Sequence, residues 1–108
     1  MEKYLQIIQL LNEYFKEDTR KMFLSGGCFF LAELLHRYIH HTKIMINREK
    51  EHCATEIGCH GVYDITGKIK GTDYRYATKR DIAFMKKNYI PKFNEEQVLH
   101  YVSSNIKL

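Results

Sequence analysis

At 108 residues, with 44% hydrophobic and 13% aromatic content, the chain has interior enough for one core but not two, and it lies far from the charge-rich, aromatic-poor profile of disorder. The net charge of +4 comes from scattered residues (Lys16, Arg20, Lys21, Lys68, Lys70, Lys79, Arg80, Lys86, Lys87) rather than from a stripe, which weighs against a nucleic-acid partner. No window approaches the roughly 20 apolar residues of a membrane span, and Met1–Gln6 lacks a signal peptide's apolar stretch, so a soluble cytoplasmic protein with no membrane partner is expected. Three cysteines cannot all pair within one chain, and free thiols follow.

Residues 2–16 space Leu5, Ile8, Leu11 and Phe15, with Tyr4, Ile7 and Tyr14 beside them, as one stripe of an amphipathic helix. Glu17–Leu24 reads as a polar connection. Ser25-Gly26-Gly27 then precedes Cys28, Phe29, Leu31, Ala32, Leu34, Leu35, Tyr38 and Ile39, which predicts a second helix capped by the serine and starting near Gly26. Lys43–Asn47, residues 52–57 and residues 62–66 read as short strands, the last two forming a hairpin around Gly58-Cys59-His60-Gly61. Gly67–Tyr76 is open between strand and loop. Thr78 to Asp81 resembles a capping box before a helix carrying Ile82, Met85 and Tyr89 that ends by Pro91, and Asn94 caps a last helix. The expected architecture is a single α+β domain over residues 1–108. In it, a cysteine-bearing helix packs on a short antiparallel sheet and further helices flank it at both ends.

A thiol becomes a good nucleophile only when ionised, and the start of a helix favours the thiolate through partial positive charge and unpaired N–H groups. Cys28 occupies such a start. Gly26 and Gly27 remove side chains beside it, which suits substrate approach, and the Cys28 N–H is a natural oxyanion donor. A histidine base needs an acceptor that fixes its tautomer, and a neighbouring strand holds one rigidly. With a three-residue loop Gly58-Cys59-His60, residue 52 pairs with 66, and His52 and Asp64 share a face; with four residues they do not. Gly61 suits the bulge that accompanies the shorter loop. Taken singly, Cys28 is more often a packing residue, His52 more often a surface-strand histidine, and Asp64 more often a turn cap. The ordered set is what points to catalysis.

The run Ser25-Gly26-Gly27-Cys28-Phe29, followed by His52 and by Val62-Tyr63-Asp64-Ile65-Thr66-Gly67, resembles the papain-like superfamily, especially its compact transglutaminase-like members, over residues 25–67. The resemblance implies a papain-like fold with Cys28 as nucleophile, His52 as general base and acid, and Asp64 as the orienting acid. It further implies hydrolysis or exchange of amide, isopeptide or thioester bonds in a protein or peptide through an acyl-enzyme, without a cofactor. Such peptidases usually place an oxyanion glutamine shortly before the cysteine; residues 20–25 contain none, leaving Gln6, Gln9 or Tyr14 as substitutes.

A zinc cluster of His52, Cys53, Cys59 and His60 fits poorly, because neighbouring strand residues point to opposite faces and no paired knuckle spacing is present. His36, His40 and His41 suit the negative end of the second helix, and Tyr63, Tyr74 and Tyr76 are more often half-buried packing residues than the lining of a groove. The rival reading is a non-catalytic binding or inhibitor protein on the same fold. The compact, lysine- and isoleucine-rich chain also resembles phage or mobile-element products, which implies a host-directed role.

Overall fold

The computed structural model describes residues 1–107. They form an α+β fold of α1 (Glu2–Phe15), a 3-10 turn (Lys16–Asp18), α2 (Thr19–Leu24), α3 (Cys28–Tyr38), five strands β1 (Thr42–Asn47), β2 (His52–Ile57), β3 (Val62–Asp64), β4 (Gly67–Ile69) and β5 (Arg75–Tyr76), then α4 (Lys79–Asn88) and α5 (Glu95–Asn105). The strands make one antiparallel sheet in the order β4-β3-β2-β1-β5, with β2 at its centre. Helix α3 lies against β1 and β2, while α1 packs on α5.

The main core joins Ile7 and Leu11 of α1, Phe23 of α2, Leu31, Leu34 and Leu35 of α3, Ile57, and Val98 and Val102 of α5. A second cluster gathers Cys28, Phe29 and Ala32 of α3 with Ile46, Cys53, Met85 and Tyr89. Each α3 residue from Cys28 to Ala32 is buried, because this helix is covered by the sheet on one side and by other helices around it.

Several sequence expectations are corrected here. The buried stripe of α1 is Tyr4, Ile7 and Leu11, with Leu5 exposed. Glu17–Leu24 is helical rather than a connection, since Phe23 has a core place to fill. Ser25 does not cap α3: its hydroxyl donates to Lys21 O at 2.5 Å, closing α2, and Gly27 is the residue before α3. The Gly67–Tyr76 stretch contains two strands joined by a loop.

The β2–β3 register follows the three-residue loop. Thr55 faces Tyr63, Glu56 faces Val62, and the Ile57 N–H donates to Gly61 O at 2.9 Å, with Gly61 at φ 119°. Continuing that register pairs 52 with 66, so His52 and Asp64 share a face. At the other end of the sheet, Thr78 and Asp81 form the reciprocal capping box of α4, and the same Asp81 carboxylate receives both terminal nitrogens of Arg75, at 2.5 and 2.9 Å. One buried carboxylate therefore ties β5 to the start of α4.

Gly26 and Gly27 are fixed by close backbone approach. A Cβ on Gly26, at φ 109°, would stand 2.5 Å from Ile90 O, and one on Gly27 would stand 2.4 Å from Met22 O. The space that their missing side chains leave is filled by backbone of the protein itself. Gly26→Ala is expected to destabilise the fold by more than about 1 kcal/mol, combining strain with a clash, and Thr78→Ala by about 1 kcal/mol through loss of the cap. Urea unfolding midpoints measure both, and an unaltered midpoint in either variant contradicts its assignment.

Candidate active site

Cys28 is the first residue of α3, where the N–H groups of the opening turn have no intrahelical acceptor. It meets the beginning of β2, where Cys53 packs with it in one buried cluster and His52, the first strand residue, is near enough to influence its charge. His52 Nε2 and Asp64 Oδ2 are hydrogen-bonded at 2.9 Å, leaving Nδ1 as the ring nitrogen for the thiol. Asp64 is itself held on three sides. Its Oδ1 accepts from the Thr66 N–H at 2.8 Å and the Thr66 hydroxyl at 2.5 Å, and its backbone carbonyl accepts from the Tyr4 hydroxyl of α1. One carboxylate oxygen thus caps the turn through Thr66 while the other is bonded to His52.

The electrostatics follow from this packing. The Cys28 thiol is drawn down to about 5, first by the adjacent Cys53 thiol and then by His52, against the opposing effect of burial. Burial disfavours the charged form of His52, but the bond to Asp64 and the neighbouring Cys28 outweigh it and raise the imidazole to about 9. Burial likewise opposes ionisation of Asp64, yet bonds from His52 and Thr66 hold its carboxyl below the ordinary range. Cys53 is pushed strongly upward, first by Cys28 and then by its own burial, so it stays a thiol. No well-aligned hydrogen bond joins the Cys28 sulfur to His52 or Cys53 among the described residues; proximity couples the three groups. The shifts of all three groups run in one direction, favouring a Cys28 thiolate, a His52 imidazolium and an ionised Asp64.

The site is nearly closed, with Cys28 only 3% exposed and the side chains of His52 and Asp64 at 12% and 8%. Phe29, Met85 and Tyr89 pack around the cysteine, and the Tyr74 ring stands edge-on to His52 with centroids 6.3 Å apart. The other sequence candidates are placed elsewhere. Gln6 accepts from the Lys107 N–H, Gln9 bonds to Glu13 on the surface, and Tyr14 packs on Phe15 and Tyr101, so none of the proposed oxyanion substitutes comes to Cys28. Cys59 is exposed at the hairpin tip, apart from buried Cys53, and among the described residues no three His, Cys, Asp or Glu side chains converge as metal ligands. The groove between α3 and α5, lined by Phe30, Glu33, Arg37 and Leu99, brings no cysteine, and its His36 bonds to Thr42. Sequence reasoning missed Cys53 as a partner of Cys28, and it read Tyr89 only as an apolar helix position.

The family model described as Phage YunG-like protein matches residues 7–103, and the chain belongs to that family. This corrects the papain-like, transglutaminase-like assignment suggested by residues 25–67. That resemblance rested on three side chains and their setting, a constellation that arises on unrelated folds, whereas the family match spans the flanking helices as well. Neither the curated proteins nor the solved structures yield a match. Among the described residues no helix is long and apolar enough to cross a membrane.

The paired titration has a direct readout. In native protein near pH 6, iodoacetamide is expected to alkylate Cys28 ahead of exposed Cys59 and of Cys53, with a rate that climbs as pH rises through about 5. His52→Ala is expected to move that climb to higher pH. Peptide mapping after alkylation checks this, and labelling of Cys59 first at pH 6 would contradict the thiolate assignment.

Proposed function

We propose that this member of the phage YunG-like family is a cysteine-dependent hydrolase or acyltransferase acting on an amide, isopeptide or thioester bond of a protein or peptide. The observation that carries the reading is His52 placed between the Asp64 carboxylate and the Cys28 thiol, with Cys28 at the start of a helix. In the proposed reaction, the Cys28 thiolate attacks the carbonyl carbon, forming a C–S bond while the carbonyl π pair moves to oxygen. As that oxyanion collapses, the bond to the leaving nitrogen or sulfur breaks and the His52 imidazolium supplies its proton. Water or an acceptor nucleophile, deprotonated by His52, then attacks the Cys28 thioester and restores the thiol pair. Asp64 holds the ring in register and stabilises its cation throughout. The three free cysteines suit a reducing compartment such as the cytosol.

The closure of the site favours a second reading. A cysteine that is 3% exposed is also what a folded binding or inhibitor protein presents, host-directed in a phage setting, with the trio kept for stability. The readings differ in what happens to an acyl donor. With p-nitrophenyl acetate, p-nitrophenolate release and an acetyl adduct on Cys28 are expected. The rate should rise as pH passes about 5, where the Cys28 thiolate forms; p-nitrophenolate leaves without a proton from His52. Asp64→Asn slows the reaction about 100-fold, because the imidazole loses the carboxylate that orients it and favours its cation, and with it the thiolate. Cys28→Ser abolishes the adduct. A wild-type protein that never acquires the acetyl group rejects the enzyme and leaves the binder.

A further inference from the structure

The hydroxyl of Tyr89 is fully buried and has no hydrogen-bond partner among the described residues, and the residue as a whole is 8% exposed. Buried hydroxyls are normally satisfied, so one left without an acceptor marks either a cost the fold tolerates or a donor kept for something that arrives. Its position favours the second. Tyr89 follows the last turn of α4 and packs in one cluster with Cys28 and Phe29. The next residue, Ile90, is locked to the turn that leads into Cys28, its carbonyl occupying the place of a Gly26 side chain. A cleft opens at this junction, lined by Leu24, Gly26, Lys50, Phe84, Tyr89 and Ile90. Leu24 and Ile90 stand on its rim, 44% and 61% exposed, and Cys28 itself is outside its lining. Acyl chemistry at Cys28 requires two donors on the carbonyl oxygen, and only the Cys28 N–H has been assigned; no glutamine comes near.

We propose that the Tyr89 hydroxyl is the side-chain oxyanion donor, acting with the Cys28 N–H on the carbonyl oxygen of an acyl group carried on Cys28. This rests on the acyl-transfer reading above. In the addition step the electron pair that leaves the carbonyl π bond resides on that oxygen, stabilised by the two N–H and O–H donors, and returns to re-form the carbonyl as the leaving group departs. Tyr89 keeps its proton through the cycle. Burial, then the nearby Cys28 charge, holds its phenol up at about 12, so it remains a donor wherever the thiolate pair exists.

Two reagents separate this role from a packing role. Iodoacetamide alkylates Cys28 by displacement at a saturated carbon and develops no oxyanion, whereas p-nitrophenyl acetate acylates it through one. Tyr89→Phe keeps the ring and removes only the unpartnered hydroxyl, so melting is expected to be unchanged or raised and alkylation unchanged. Acetylation of Cys28 is expected to fall about 100-fold. Equal acetylation rates in wild type and Tyr89→Phe overturn the assignment while leaving the nucleophile intact. A parallel loss of both reactions also overturns it, since that is what a merely structural tyrosine does. A wild type that is alkylated but never acetylated fails at the earlier step and overturns the acyl-transfer reading, and with it this donor.

Discussion

The arrangement depends on how Asp64 divides its carboxylate. One oxygen closes the β3–β4 turn through Thr66 and the other holds His52, while the residue's carbonyl is tied to Tyr4 of the first helix. A carboxylate with both oxygens engaged keeps a fixed direction, and it is this direction that sets the imidazole against the helix bearing Cys28. The turn, the hairpin register and the packing of α1 on the sheet therefore all bear on one ring orientation. Loss of any of them would leave a histidine free to rotate, and a buried carboxylate without its partner.

Burial gives the same site its electrostatic character. In an apolar cluster a lone thiolate would be strongly disfavoured, and the neighbouring Cys53 thiol and His52 imidazole offset that cost. Charge is thereby concentrated where water is scarce, the condition under which a proton-transfer pair has its largest effect. The Arg75–Asp81 pair, with Asp81 shared by the α4 capping box, secures the other half of the setting, because α4 is the element that carries Tyr89 to the cysteine. The paired glycines before Cys28 serve the same end: they let Met22 and Ile90 backbone approach closely enough to bring α2, α3 and the end of α4 together.

Membership in the phage YunG-like family changes how the trio is understood. A cysteine, a histidine and an acid in that order are shared by many unrelated chains because the chemistry demands those groups, not because the folds descend from one another. The family match extends across α1 to α5, so what unites these proteins includes the helices that wrap the sheet. A narrow motif resemblance spoke to chemistry alone, and its extension to a fold family was unwarranted by the residues that carried it.

Local physics made much of the chain legible. Thr78 with Asp81, and Asn94 ahead of two glutamates, announce helix starts through hydrogen bonds made within four residues, and both caps are formed. The β2–β3 register was readable because Gly61 permits the positive φ of a short loop, and loop length alone decides whether His52 and Asp64 share a face. The start of α3 was misread by two residues because Ser25 finds a nearer acceptor in α2 than the helix it precedes, and α2 itself was missed because its stability comes from burying Phe23 rather than from periodicity. Contacts between distant segments had no local signal at all. That Cys53 lies beside Cys28, that backbone fills the space at Gly26 and Gly27, and that Tyr89 brings an unpartnered hydroxyl to the same cluster depend on how α3 meets β2 and on where α2 and the end of α4 close on the turn before α3. By itself the sequence determined the elements and the order of reactive groups, because those rest on neighbours along the chain. Tertiary structure alone decided which groups meet and how deeply they are buried, because proton affinity and access depend on everything packed around them.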